Sequence, residues 1–169
     1  MKRTAAAIAF ALALTLPAAA EPQSLGTFSD WSVFKSSGSD GVVCYALSQP
    51  KESLPTNVKR DPIYFLISTW PGKKTVGEPS VGAGYPYKDG SVMIVVIVSE
   101  KFEFYTQNEG TDGGAWMKTA AEEKRLLEAM RGGSRMVVKG TSRRGTLTTD
   151  EYSLKGISAA LDKIASDCK

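Results

Sequence analysis

Short strand-like runs of apolar residues dominate this chain. Gly26 to Phe34 carries Phe28, Trp31, Val33 and Phe34, and Val42 to Leu47 places Val42, Val43, Tyr45 and Leu47 around Cys44. Ile63 to Trp70 is almost wholly β-branched or aromatic, with Pro62 where a strand can begin. Ser80 to Tyr87 holds Gly82, Gly84 and Tyr85-Pro86, which predicts an irregular or bulged strand. Val92 to Val98 is an unbroken apolar run, expected to be buried on both faces or at a sandwich core. Lys101 to Thr106 alternates, with Phe102 and Phe104 on one side and Glu103 and Tyr105 on the other. Ser99-Glu100 fits a tight hairpin between these two. Met136 to Thr141 and Thr146 to Leu154 flank Arg143-Arg144-Gly145, a second hairpin signal.

Two stretches change period. Ala115 to Arg131 repeats Trp116, Ala120, Leu127 and Met130 at helical spacing. Thr111 or Asp112 is the expected cap and Gly132 the terminating glycine. Gly156 to Asp167 carries Ile157, Leu161, Ile164 and then Cys168 on one stripe. Gln49 to Asp61, with Pro50 and Pro55, reads as a surface loop. Strands and helices do not alternate, which argues against a doubly wound parallel sheet. The expected fold is mainly β: an antiparallel β-sandwich, immunoglobulin-like, with two added α-helices.

The N-terminus follows a different rule. Lys2 and Arg3 precede an uncharged apolar run from Ala5 to Leu16, then Pro17 and Ala18-Ala19-Ala20. This is the layout of a signal peptide over residues 1–20, cut near Ala20-Glu21. The run is shorter than the ~20 apolar residues of a membrane span. Residues 21–169 then form one domain of 149 residues, working in the periplasm or at the cell surface. Without Lys2 and Arg3 the chain holds 19 basic and 18 acidic side chains, a net charge of +1. Neither that balance nor export suggests nucleic acid as a partner.

Two cysteines, Cys44 and Cys168, lie 124 positions apart. In an oxidising compartment such a pair reads as a disulfide. Two buried thiols or an intermolecular bridge are the alternatives. The chain contains no histidine, which removes Ser-His and Cys-His nucleophile arrangements. Ser48-Gln49-Pro50-Lys51 matches S-x-x-K, but Pro50 after a β-rich run opposes the helix that this chemistry uses, and no companion motif follows. Glu103, Glu109, Asp112, Asp150 and Glu151 are the candidates for a carboxylate pair acting on glycans. Most of them fall at turns or on outward strand positions. Lys73-Lys74 and Arg143-Arg144 sit at expected turns, as solvated charges that can favour an acidic partner. Tyr85 and Tyr87, in a glycine-flanked stretch, are the best candidates for exposed aromatics at a partner surface.

Several segments are specific in combination. They are Leu25-Gly26-Thr27-Phe28-Ser29-Asp30-Trp31, Val43-Cys44-Tyr45-Ala46-Leu47-Ser48-Gln49-Pro50-Lys51, Gly84-Tyr85-Pro86, Met136 to Ser142, Arg144-Gly145-Thr146 and Tyr152 to Gly156. In these the chain resembles the invasion-associated locus B family of exported bacterial proteins, over nearly all of residues 21–169. The resemblance implies a periplasmic or surface domain with a β-sandwich core and a contribution to host-cell invasion in some pathogens. It implies no enzymatic activity and offers no catalytic, cofactor or metal residues. Cys44 and Cys168 match the family's two cysteines, which implies their disulfide. The resulting expectation is an exported binding or structural protein, with an envelope or host-surface protein as partner. A small carboxylate-dependent hydrolase of glycans or cell wall is the alternative.

Overall fold

The computed structural model describes residues 21–169, so the expected signal peptide lies outside the described residues. The described chain forms eleven strands, all in one sheet. They are β1 (Gln23–Phe28), β2 (Trp31–Gly38), β3 (Gly41–Ser48), β4 (Glu52–Leu54), β5 (Tyr64–Trp70), β6 (Thr75–Gly82), β7 (Val92–Ile97), β8 (Glu100–Glu109), β9 (Asp112–Trp116), β10 (Arg135–Thr141) and β11 (Leu147–Ser153). Helix α1 (Ala120–Gly132) lies between β9 and β10, and α2 (Ile157–Asp167) follows β11. Spatial order is β1-β2-β3-β5-β6-β9-β8-β7-β10-β11-β4, with every neighbouring pair antiparallel.

The position of β4 dictates the shape. It pairs with β11 at one edge of the sheet, yet only Gln49 to Lys51 separate it from β3 near the other edge. Three linking residues reach no more than about 14 Å. The sheet must therefore fold over until its two ends face each other, and its halves become the layers of a sandwich. Direct ties mark this meeting. Trp31 Nε1 donates to the Ser153 carbonyl at 3.1 Å, and the Asp30 amide to the Lys155 carbonyl at 3.2 Å. Ser48 Oγ donates to the Asp30 carbonyl at 2.8 Å, and Lys51 pairs with the Asp30 carboxylate at 2.5 Å. Ser48 and Lys51, the two ends of the S-x-x-K match, thus both serve Asp30. The Lys51 hydrogen bond, with a second from Ser153, lowers the Asp30 pKa.

Alternation places the core between the layers. The Phe65 ring of β5 meets Trp31 of β2, Phe104 of β8 and Tyr152 of β11 edge-on, at 6.3, 6.1 and 6.0 Å. In β7 the apolar run splits by face: Met93, Val95 and Ile97 are buried, Ile94 and Val96 half-buried, and Val92 exposed. Its place is the sandwich core, with one face fully covered.

Cys44 of β3 and Cys168, just past α2, form the disulfide, with Cα atoms 6.0 Å apart. Ile157, Ala160, Leu161 and Ile164 bury one stripe of α2. Leu126 and Met130 do the same for α1, and Arg131 of α1 pairs with Asp162 of α2 at 2.8 Å.

The structure corrects several boundaries. Residues Gly26 to Phe34 are a hairpin, turned at Ser29, whose φ is 54°. The loop from Gln49 contains β4. The strand expected at Ser80 begins at Thr75, and its irregular part starts after Gly82. Trp116 belongs to β9 instead of a helix, and α1 starts later. Its cap is Thr119, whose Oγ1 accepts from the Glu122 amide at 3.3 Å, in place of Thr111 or Asp112. Gly114 in β9 lies beneath the Trp116 ring, where a side chain would collide with it.

Candidate functional site

Helix α1 closes the end of the sheet where β9 stops and β10 starts. At the opposite end of those strands, loops enclose a cavity of about 430 Å³. Its wall comes from Val58 to Asp61 ahead of β5, Gly84 to Pro86 after β6, Thr111 ahead of β9, and the β10–β11 turn with Arg143 and Arg144.

Arg60 forms the inner wall. Its side chain is buried, 6% exposed, opposite the 2% exposed Asp150 of β11. Nη1 and Nη2 each donate to one Asp150 oxygen at 2.7 Å, a two-pronged carboxylate pair. Nε and Nη2 also donate to the Ala83 carbonyl at 2.9 and 2.7 Å. Burial alone would lower the Arg60 pKa, but the hydrogen bonds and charge of Asp150 outweigh it and raise the value. The guanidinium also lies 5.1 Å from the centre of the Tyr85 ring. One buried arginine thus joins the loop before β5, the exit of β6, and β11.

The Gly84-Pro86 segment is pinned on both sides. Asn108 of β8 accepts the Tyr87 amide at 2.7 Å and donates to its carbonyl at 2.9 Å, as a neighbouring strand would. The Arg143 amide donates to the Pro86 carbonyl at 2.8 Å, so the basic turn is held against the same segment. Gly84 has φ +70° and faces the Asp61 backbone, which leaves no room for a Cβ. Gly84→Ala is therefore expected to lose at least about 1–2 kcal/mol, from left-handed backbone strain alone. Urea denaturation checks this; an unchanged midpoint would contradict it.

Tyr85 and Tyr87 do not both face solvent. Residues two apart in an extended segment point the same way, and here that way is inward. Tyr87 is fully buried, and Tyr85 is half-buried on the cavity wall. The Tyr85 hydroxyl lies 2.5 Å from Thr148 Oγ1, which donates to the Gly140 carbonyl, leaving Tyr85 as donor. Tyr87 is thus removed from any partner surface by its register with Tyr85. Burial pushes the phenol pKa values of Tyr87 and Tyr152 far upward.

This gives an alkaline prediction. Unfolded phenols ionise near about pH 10, and folded Tyr87 and Tyr152 ionise only above that. Up to pH ~10 both states hold these protons, and the stability is intact. Above it the unfolded state releases them first, so stability falls as pH rises. Tyrosinate absorbance from these residues should appear together with loss of circular dichroism. Their ionisation near the ordinary value in an intact fold would contradict the burial.

The proposed carboxylates are scattered. Glu103 is exposed on β8, Glu109 and Asp112 face each other across the β8–β9 turn, and Glu151 pairs with Arg135 at 3.0 Å. Only Asp150 of the five belongs to the site, through Arg60. Asp61 is a further carboxylate on the cavity wall. Among the described residues no group of three His, Cys, Asp or Glu side chains is placed to hold a metal. No described helix is long and apolar enough to cross a membrane.

The family model for invasion associated locus B (IalB) proteins matches residues 91–165, which span β7 to the end of α2. Over that stretch the chain is similar to IalB proteins. A solved structure, invasion associated protein B from Bartonella henselae, has a similar fold: TM-score 0.57 and 15% identity, over 83% of this chain and 95% of that one. At that identity the likeness is one of fold. No curated protein matches the chain. Part of the cavity, including Thr111 and the Arg143-Arg144 turn, falls inside the matched IalB region; Lys59, Arg60 and Gly84 to Pro86 fall outside it. Arg60 gave no sequence signal, because a lone arginine in a polar loop looks solvated. Asp150 did give one: it shares the inward register of β11 with Thr148 and Tyr152.

Proposed function

We propose that this IalB-like protein is exported through the signal peptide at residues 1–20 and acts outside the cytoplasm by binding, with residues 21–169 as a single domain. The disulfide supports an oxidising compartment. The observation that carries the binding reading is the locked Arg60–Asp150 pair. A general acid or base must exchange its proton with a substrate. Asp150 instead spends both oxygens on a buried guanidinium. Glycan hydrolysis needs two such carboxyl groups about 5 to 9 Å apart across a substrate, and Asp61 stands as the cavity's only lining carboxylate among the described residues. The cavity therefore suits recognition more than reaction.

The partner is an envelope or host-surface molecule. The name of the Bartonella relative associates that protein with invasion. In an invading bacterium, host contact through this end of the sandwich would be the corresponding role here. Affinity capture from envelope and host-membrane extracts tests the proposal, with wild type beside R143E/R144E. The same partner recovered repeatedly by wild type and lost with the charge reversal is expected. Identical recovery by both proteins would reject the cavity as the binding site.

A further inference from the structure

Charge at the cavity mouth is far from balanced. Residues 21–169 carry 19 basic and 18 acidic side chains, so the domain as a whole is close to neutral. The cavity lining nevertheless includes Lys59, Arg60, Arg143 and Arg144 against the single carboxylate of Asp61. Asp150, behind the wall, takes up the charge of Arg60. Lys59, Arg143 and Arg144 have no carboxylate within ion-pair distance among the described residues. Three uncommitted cations thus share a concave site with one anion.

The site is also shaped. Its volume of about 430 Å³ falls within the range of small-ligand pockets, roughly 300–1,000 Å³. The arginine turn is tethered by its Arg143 amide, and the Ser142 carbonyl accepts from the Gly145 amide at 2.8 Å. The cationic side chains therefore project from a braced turn, which limits the entropy lost on binding. Low-dielectric walls around like charges concentrate their field into the cleft.

We infer that this cavity binds a small ligand through a carboxylate or phosphate group, with Arg143, Arg144 and Lys59 supplying the counter-charge. The inference rests on the binding reading above and names the chemistry of what is bound. Arginine suits either group, because its planar fork can meet two oxygens at once.

Three probes with one sugar body separate the possibilities: glucuronate for the carboxylate, glucose 6-phosphate for the phosphate, and glucose as the neutral control. Each is titrated into the oxidised domain while backbone amide resonances of Gly84, Tyr85, Thr146 and Thr148 are followed. Saturable shifts with one or both acidic sugars, weakening with added salt, are expected. The acidic sugar that binds more tightly identifies the group. R143A/R144A, altered only at exposed turn positions, should keep its spectrum elsewhere and bind about tenfold or more weakly. K59Q should weaken binding by a smaller factor.

Absence of saturable shifts with both acidic sugars would overturn the inference, as would equal binding of glucose or unchanged affinity in R143A/R144A. That failure leaves capture of a larger partner intact. Chemical conversion of a bound sugar would instead reject the binding reading while upholding the anion site.

Discussion

Replacing Arg60 with methionine is expected to destabilise the protein by about 3–5 kcal/mol, because it strands a buried carboxylate. The Asp150 side chain is 2% exposed, and Arg60 donates a 2.7 Å hydrogen bond to each of its oxygens. D150N should be similarly harmful, since it leaves the guanidinium uncompensated. The double variant R60M/D150L removes both charges and should recover most of the loss, since buried pairs often exchange for apolar ones near neutrality. Urea denaturation of wild type, R60M, D150L and R60M/D150L gives the coupling. Single variants that cost no more than a surface ion pair would show that Asp150 is solvated. A double variant as weak as either single one would place the stabilising role in the Ala83 contacts.

The second large effect belongs to the disulfide. Cys44 and Cys168 close a loop of 124 positions, for which chain entropy gives about 4–5 kcal/mol. That is a large share of the ~5–15 kcal/mol typical of a domain. C44A/C168A should still fold, because β2, β5, β8 and β11 keep their aromatic core, but its denaturation midpoint should drop sharply. The bond joins the end of α2 to β3. Amide exchange should therefore quicken most in α2, where Ile157 to Ile164 pack without a covalent tie. A midpoint equal to wild type, or exchange that quickens evenly across the sheet, would contradict this.

The parts of the fold that could be read from sequence are those where local and tertiary preferences agree. β5 and β8 alternate cleanly, and Ile157, Leu161 and Ile164 mark α2 at its true position. β9 was obscured because its sequence, Asp-Gly-Gly-Ala-Trp, has little strand preference of its own. Pairing with β6 and β8 makes it a strand, and the Trp116 ring covers its glycine. The spacing that placed Trp116 on a helix is accidental, whereas Thr119 with Glu122 was a capping signal within reach. β4 has only three residues, too few to show a period.

The cavity was less legible than the fold. Its Arg143-Arg144 turn and Asp150 were visible as residues, but nothing local links them to Arg60, ninety positions from Asp150. That link exists only because the sheet folds back through the short β3–β4 connection. In the sequence Tyr85 and Tyr87 look like a pair with one exposure. Their shared inward register makes one a cavity wall and the other core.

A binding protein's cavity must recognise without reacting. Purified oxidised protein incubated with peptidoglycan and with acidic and neutral polysaccharides, followed by mass analysis of released fragments, measures that. No fragment above the protein-free control is expected. A product formed by wild type and abolished in D61N, with the fold intact, would contradict it.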